Sequence, residues 1–298
     1  MGKLYTALIG LSLIWGTSFL FIKVLLTSLE PISIVLGRCL FGTIMLFAII
    51  IVKKKKINLK KMPWFKLVLI ALTNNVLPWL LICSSETKLT SSMASIINAT
   101  TPIWTLIIGF FLFSSTLRKS QWFGIFVGFI GIFILSDVKL GDLYSGNLTG
   151  ILLMTGATFC YGLASHLTKK HLAQLTVLET SFLTLLISTI MSFIIVLFAN
   201  PRSIASIITT ETLGPFIGLG ALGSGIAYLL FYYLVKKGSP EFASLVTYLV
   251  PISALFWGAI ALREEIHLSM IIGLAVIFIG VYIASIKPKE KSNVTHAA

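Results

Sequence analysis

Few side chains in this 298-residue chain could do chemistry, and most of those that could lie inside long apolar stretches. Arg38 is the most telling charge. Within an apolar run, an arginine either turns toward the protein interior or reaches back to the surface. Turned inward, it could hold an anionic or carboxylate-bearing solute; the alternative is a structural pair with Glu30 or another acid at the same end. Lys23 lies nearer the end of its run and is expected to snorkel outward. Asn74 and Asn75 are adjacent carboxamides beside Pro78, costly at that depth unless satisfied. They stand about 100° apart on a helix, so one of them is expected to face a cavity. Asn98 and Thr101 precede Pro102, and Thr247 and Tyr248 precede Pro251. Polar groups one turn before a proline either bond between helices, at about 0.6 kcal/mol each, or touch a solute beside the kink. Trp15, Trp79, Tyr161 and Tyr228 sit within their runs rather than at the ends, where aromatic anchors usually lie. As a cavity wall they would suit a solute with an apolar part or a cation.

Catalysis has little to stand on. The four histidines are scattered: His166 and His171 lie near one end of a run, His267 at the opposite face and His296 in a polar tail. No His-Glu-x-x-His, Asp-x-x-Asp or Cys-x-x-Cys occurs. Cys39, Cys83 and Cys160 read as small buried hydrophobes. Glu86 and Glu179 fall near span ends, where they are expected to face headgroups or water, and no span carries an acid near its centre. No catalytic residue, metal site or cofactor is therefore expected.

The elements that must position these residues follow from composition. The chain is 57% hydrophobic and 11% charged, with a mean hydropathy of +0.99. A soluble domain is nearer 25% charged, so this chain cannot solvate its own surface. Runs of roughly 20 apolar residues suffice to cross a bilayer, and ten are expected, at 4–25, 32–52, 64–84, 91–113, 121–135, 148–168, 177–198, 213–235, 242–262 and 268–286. The net charge of +13 lies in the loops, as in Lys53–Lys56, and not on a nucleic-acid-binding face. With alternating loops, 17 Lys and Arg fall on one side and 4 on the other, Lys23 and Arg38 lying within spans. Such a bias places the richer side, and both termini, in the cytoplasm.

The chain also repeats. At a shift of 149, Pro102-Ile103 meets Pro251-Ile252, Gly109 meets Gly258, Gly124 meets Gly273 and Phe129-Ile130-Gly131 meets Phe278-Ile279-Gly280. At a shift of 146, Trp15-Gly16 meets Tyr161-Gly162 and Lys23 meets Lys169. Each unit has five spans, so the second enters the membrane upside down. Inverted repeats recur in secondary transporters, with the substrate near the midplane between the halves. Pro102 and Pro251 are then candidate hinges. The glycines read as close helix contacts, and Gly220, Gly223 and Gly225, with no strand before them, do not form a dinucleotide loop.

On these features, with Leu13-Ile14-Trp15-Gly16-Thr17-Ser18-Phe19 near the start and Arg263-Glu264-Glu265 before Gly273 and Gly280 in the second half, the chain resembles the EamA-type branch of the drug/metabolite transporter superfamily. The first half departs from the second in having Ser115-Thr116 where Glu264-Glu265 stand. The resemblance implies an all-α integral membrane protein of ten helices in two inverted five-helix repeats, at 1–140 and 146–287, with a polar cytoplasmic tail at 288–298. It implies export of a small organic metabolite, an amino acid or similar, across the plasma membrane, by a facilitator or a proton-coupled antiporter. The lack of a central acid favours the facilitator. The expected partners are the substrate and the lipid bilayer, without nucleic acid; the oligomeric state, monomer or otherwise, is left open. The alternatives are an integral membrane enzyme, which would need grouped catalytic residues, and a non-transporting scaffold, for which the loops are short.

Overall fold

The computed structural model describes residues 2–114, 116–136, 146–237 and 246–285, and helices joined by short turns make up these residues. A bilayer has no water to satisfy a backbone, so helices that close their own hydrogen bonds are the natural element. In chain order these are α1 (Gly2–Leu25), α2 (Pro31–Val52), α3 (Trp64–Ala71), α4 (Leu77–Glu86), α5 (Ser91–Asn98), α6 (Thr101–Phe113), α7 (Lys119–Ser136), α8 (Gly146–His171), α9 (Val177–Ala199), α10 (Thr210–Phe216), α11 (Ala227–Lys237), α12 (Val246–Ala261) and α13 (Leu268–Ser285). Among the described residues, seven continuous or nearly continuous helical segments are long and apolar enough to cross a membrane. Three shorter apolar helices, Lys119–Leu135, Leu249–Ala261 and Leu268–Ala284, stand where the fifth, ninth and tenth spans are expected. The start of the expected ninth span, 242–245, lies outside the described residues, as do residues 115, 137–145, 238–241 and 286–298.

Local chemistry sets the helix ends. Thr90 caps α5 by accepting from the Met93 amide at 3.1 Å. Thr176 and Glu179 form a reciprocal capping box on α9, and Pro31 opens α2, where its missing N–H costs nothing. Three expected spans are interrupted. The third breaks into α3 and α4 around a π-helical segment, Leu72–Val76, and the eighth into α10 and α11 around another, Ile217–Ile226. At the shift of 149 the first falls within the second. The fourth stops at Asn98 and restarts at Thr101, with Pro102 in the first turn of α6. Pro102 thus begins a helix, whereas Pro251 lies inside the continuous α12. The two prolines match in sequence but not in local structure, because the Thr100 and Thr101 hydroxyls bond the carbonyls of Ile97 (2.7 Å) and Asn98 (2.8 Å) and stabilise the break.

Packing between the halves is reciprocal. α1 packs on α11, α12 and the π segment of the eighth span, while α8 packs on α4, α5, α6 and the π segment of the third. α2 and α9 lie against each other, joined by Thr43 and Thr189 at 3.0 Å. α7 and α13 form a separate tight pair. Its seam is glycine: a Cβ on Gly280 would stand 2.6 Å from the Gly128 nitrogen, and one on Gly131 3.0 Å from the Gly273 carbonyl. Small residues at membrane helix contacts allow such approach. Large apolar side chains remain on the outside of the bundle, Phe198 at 87% and Phe65 at 82% exposure. That belt suits lipid rather than water.

Candidate functional site

The polar residues converge where the interrupted helices meet α2 and α8. Arg38 projects from α2, and its guanidinium carbon lies 4.0 Å from the centre of the Trp79 ring on α4. Its Nε donates to the Ser224 hydroxyl at 3.1 Å. Trp79 is 2% exposed and Ser224 fully buried, but Arg38 keeps part of its surface open. Glu30, the structural partner considered from sequence, accepts instead from Asn200 at 3.0 Å. Beyond Ser224 and the Trp79 face, the guanidinium has no further partner among the described residues, which leaves its two terminal nitrogens free. Tyr161 of α8 lies beside the Trp79 indole, and Tyr228 of α11 beside the Asn74 carboxamide. Both phenols stand within the field of Arg38 and both are half-buried.

The two asparagines have different partners, since adjacent positions on a helix point in different directions. Asn75 is 1% exposed and donates to Ser188 of α9 at 3.1 Å. Asn74 donates to the Asn75 carbonyl at 2.9 Å and stays half-buried. Asn75 therefore holds the segment in place and Asn74 presents itself toward Tyr228. A π turn leaves carbonyls without their usual helical partners; in the eighth span Trp15 meets this need, its indole donating to the Gly223 carbonyl at 3.1 Å. Trp15 also packs 5.8 Å from Phe231. It supports the site's far wall through Gly223, next to Ser224. Arg38 with Ser224 joins the second span to the eighth, and Asn75 with Ser188 joins the third to the seventh, the same pairing of elements in both halves.

Asn98 lies apart from this group, at the break before α6. Its side-chain oxygen is buried without a hydrogen-bond partner among the described residues, and the Thr101 hydroxyl is spent on the Asn98 carbonyl. The side chains of Thr247 and Tyr248 lie outside the described residues.

Several contacts escaped sequence reasoning. Ser224 was legible, since it stands at the repeat equivalent of Asn75. Lys23 does not snorkel: its ammonium donates to the main-chain carbonyls of Glu86 (2.6 Å) and Leu89 (2.8 Å). Glu86 does not face headgroups or water; it is fully buried. Glu264 reaches across to α5, accepting from the amides of Ser91 (2.7 Å) and Ser92 (3.0 Å) and from the Ser92 hydroxyl. His166 sits against the Thr105 carbonyl at 2.9 Å and stacks on Phe113. Each of these depends on elements far apart in sequence.

Membrane-length helices around a charged and aromatic interior define a multi-pass membrane protein. The model of the EamA-like transporter family matches residues 2–137 and 148–286, and the chain belongs to that family. It is a membrane transporter and not an enzyme. Among curated relatives, the uncharacterized transporter YoaV of Bacillus subtilis is 21% identical over 95% of this chain and 96% of its own. The uncharacterized inner membrane transporter YedA of Escherichia coli K12 is 25% identical, covering 96% and 94%. A crystal structure of a protein 16% identical aligns over 96% of this chain and 97% of its own with a TM-score of 0.64, a likeness of fold.

Proposed function

We propose that this transporter exports a small organic metabolite bearing a carboxylate, an amino acid or a close analogue, across the plasma membrane by alternating access. Arg38 carries the reading. Its stem and face are fixed by Ser224 and Trp79, and its two terminal nitrogens form a fork that matches a carboxylate in two parallel hydrogen bonds. Tyr161, Tyr228 and Asn74 add polar and aromatic contacts around it, and the Asn98 side-chain oxygen offers an acceptor at the break.

The reciprocal packing supports two halves, 1–140 and 146–287, of inverted topology, five spans in each. Two similar halves inserted in opposite senses have two states of nearly equal energy, open to either side. The break before Pro102 and the kink at Pro251 are the hinges of that exchange. Both termini and the tail at 288–298 are cytoplasmic, and the partners are the substrate and the bilayer. The transporter works as a facilitator or a proton-coupled antiporter.

Flux from proteoliposomes loaded with pooled amino acids and small metabolites tests this, with and without an imposed pH gradient. Selective release of carboxylate-bearing solutes is expected. Arg38→Ala should abolish it, and Trp79→Ala should weaken substrate affinity about tenfold, equivalent to about 1.4 kcal/mol of a desolvated cation–π contact. Equal release from the Arg38→Ala protein would remove the carboxylate from the reading.

A further inference from the structure

Glu86 ends α4 at the face that the lysine and arginine distribution assigns to the outside. Its side chain is fully buried, and neither carboxyl oxygen has a hydrogen-bond partner among the described residues. An ionised carboxylate with neither water nor donor is among the costliest arrangements a side chain can adopt, and a neutral carboxyl is far cheaper.

Among the described residues, none of the charges around it donates a hydrogen bond to its carboxyl. Those that face it are Lys23 from α1, Arg38 from α2 and Glu264 from the segment after α12. Lys23 is held by the Glu86 and Leu89 carbonyls and forms no ion pair with the carboxylate. Arg38 is held by Ser224 and Trp79. Glu264 is held by Ser91 and Ser92. The other titratable neighbour is the Cys83 thiol on α4 itself, ordinarily neutral at physiological pH. α5 brings serines.

These contacts also form a closure. The turn from Glu86 to Ser92 is gripped at the carbonyl end of α4 by a cation from the first half, and at the amide end of α5 by an anion from the second. Each charge matches the helix dipole it meets. With the turn so gripped, Glu86 is shut away from water.

We propose that Glu86 is a proton-binding site coupled to this outer closure: closing transfers one proton from outside water to a Glu86 carboxyl oxygen, and opening returns it. When the turn parts from Glu264, the carboxyl meets water, ionises, and Lys23, freed from the two carbonyls, becomes its counter-ion. The proposal rests on the alternating-access reading, but its test needs no substrate.

Spin labels at Lys88→Cys and Glu265→Cys, in a background with Cys39, Cys83 and Cys160 replaced by Ala, flank the closure from its two halves. Pulsed-EPR distances in nanodiscs are then read across a pH series. The parent protein should gain a longer-distance population as pH rises. Glu86→Gln, which mimics the neutral carboxyl, should lose that response and keep the short distance throughout; Glu86→Met serves as a second neutral variant should the first fold poorly. Glu264→Gln should shift the population toward the long distance yet keep its pH response. Distances indifferent to pH in the parent, a response unchanged in both Glu86 variants, or one abolished by Glu264→Gln alone would overturn the proposal. A failed flux assay beside an intact pH response would count against the choice of substrate and not against Glu86.

Discussion

Asn74 and Asn75 show how much a single step along a helix decides at the residue scale. Adjacent and chemically identical, they part company because neighbouring helical positions point about 100° apart, Asn75 into α9 and Asn74 toward Tyr228. A buried carboxamide with one good partner is a structural residue, and its loss leaves Ser188 and Asn74 short of a bond. Asn75→Ala should therefore destabilise the protein by about 1 kcal/mol, seen as a lower Tm in detergent. Asn74→Ala should leave Tm nearly unchanged while altering solute affinity. A double-mutant cycle of Asn75→Ala with Ser188→Ala should give a coupling of about 0.6 kcal/mol. Arg38 follows the same logic in reverse: two contacts orient it, and what remains open defines what it can bind.

Among the elements, the separate pair of α7 and α13 is the most exposed to a single change. Its contact is backbone on backbone at Gly124, Gly128, Gly131, Gly273 and Gly280. A side chain at Gly280 would meet the Gly128 nitrogen at 2.6 Å and the Gly124 carbonyl at 2.7 Å, and neither can rotate away. Gly280→Val should cost about 1–3 kcal/mol and lower Tm accordingly. Gly10→Val on α1, where an added Cβ meets nothing within 4 Å, should be silent in the same assay. The ends of α6 and α12 repeat one device. Ser114 and Arg263, equivalent at the shift of 149, both adopt the left-handed conformation, with φ of 53° and 54°. A non-glycine residue holds that conformation at a cost of about 1 kcal/mol, which marks both turns as places where the chain must reverse sharply.

For the whole molecule, orientation and closure are linked. The lysine-rich segment at Lys53–Lys56 and the Lys55–Glu179 pair at 3.9 Å lie at one end, and the Lys23, Glu86 and Glu264 closure at the other. The charge bias assigns the first end to the cytoplasm. Cysteine at Lys60 should thus resist a membrane-impermeant thiol reagent in intact cells and react after permeabilisation, while cysteine at Arg202 should react in both. Labelling of both positions in intact cells would reverse or break the topology.

The membrane class and the approximate helix positions were legible in the sequence, because each rests on local or averaged quantities: apolar length and charge between runs. Trp79, Tyr161, Tyr228, Asn74 and Arg38 were legible as a group for the same reason, since buried polar residues in apolar runs are few. What the sequence could not disclose was partnership. Pro102 and Pro251 look alike along the chain, yet one begins a helix and the other lies inside one. Glu86 looks like a headgroup-facing acid at a helix end, yet α1, α2 and the segment after α12 close over it. Spacing along one helix says which residues share a face. Which face of which helix arrives opposite is fixed by packing between segments a hundred or more residues apart, so only the tertiary structure decides which charges are paired, which are spent on backbone, and which are left free to bind.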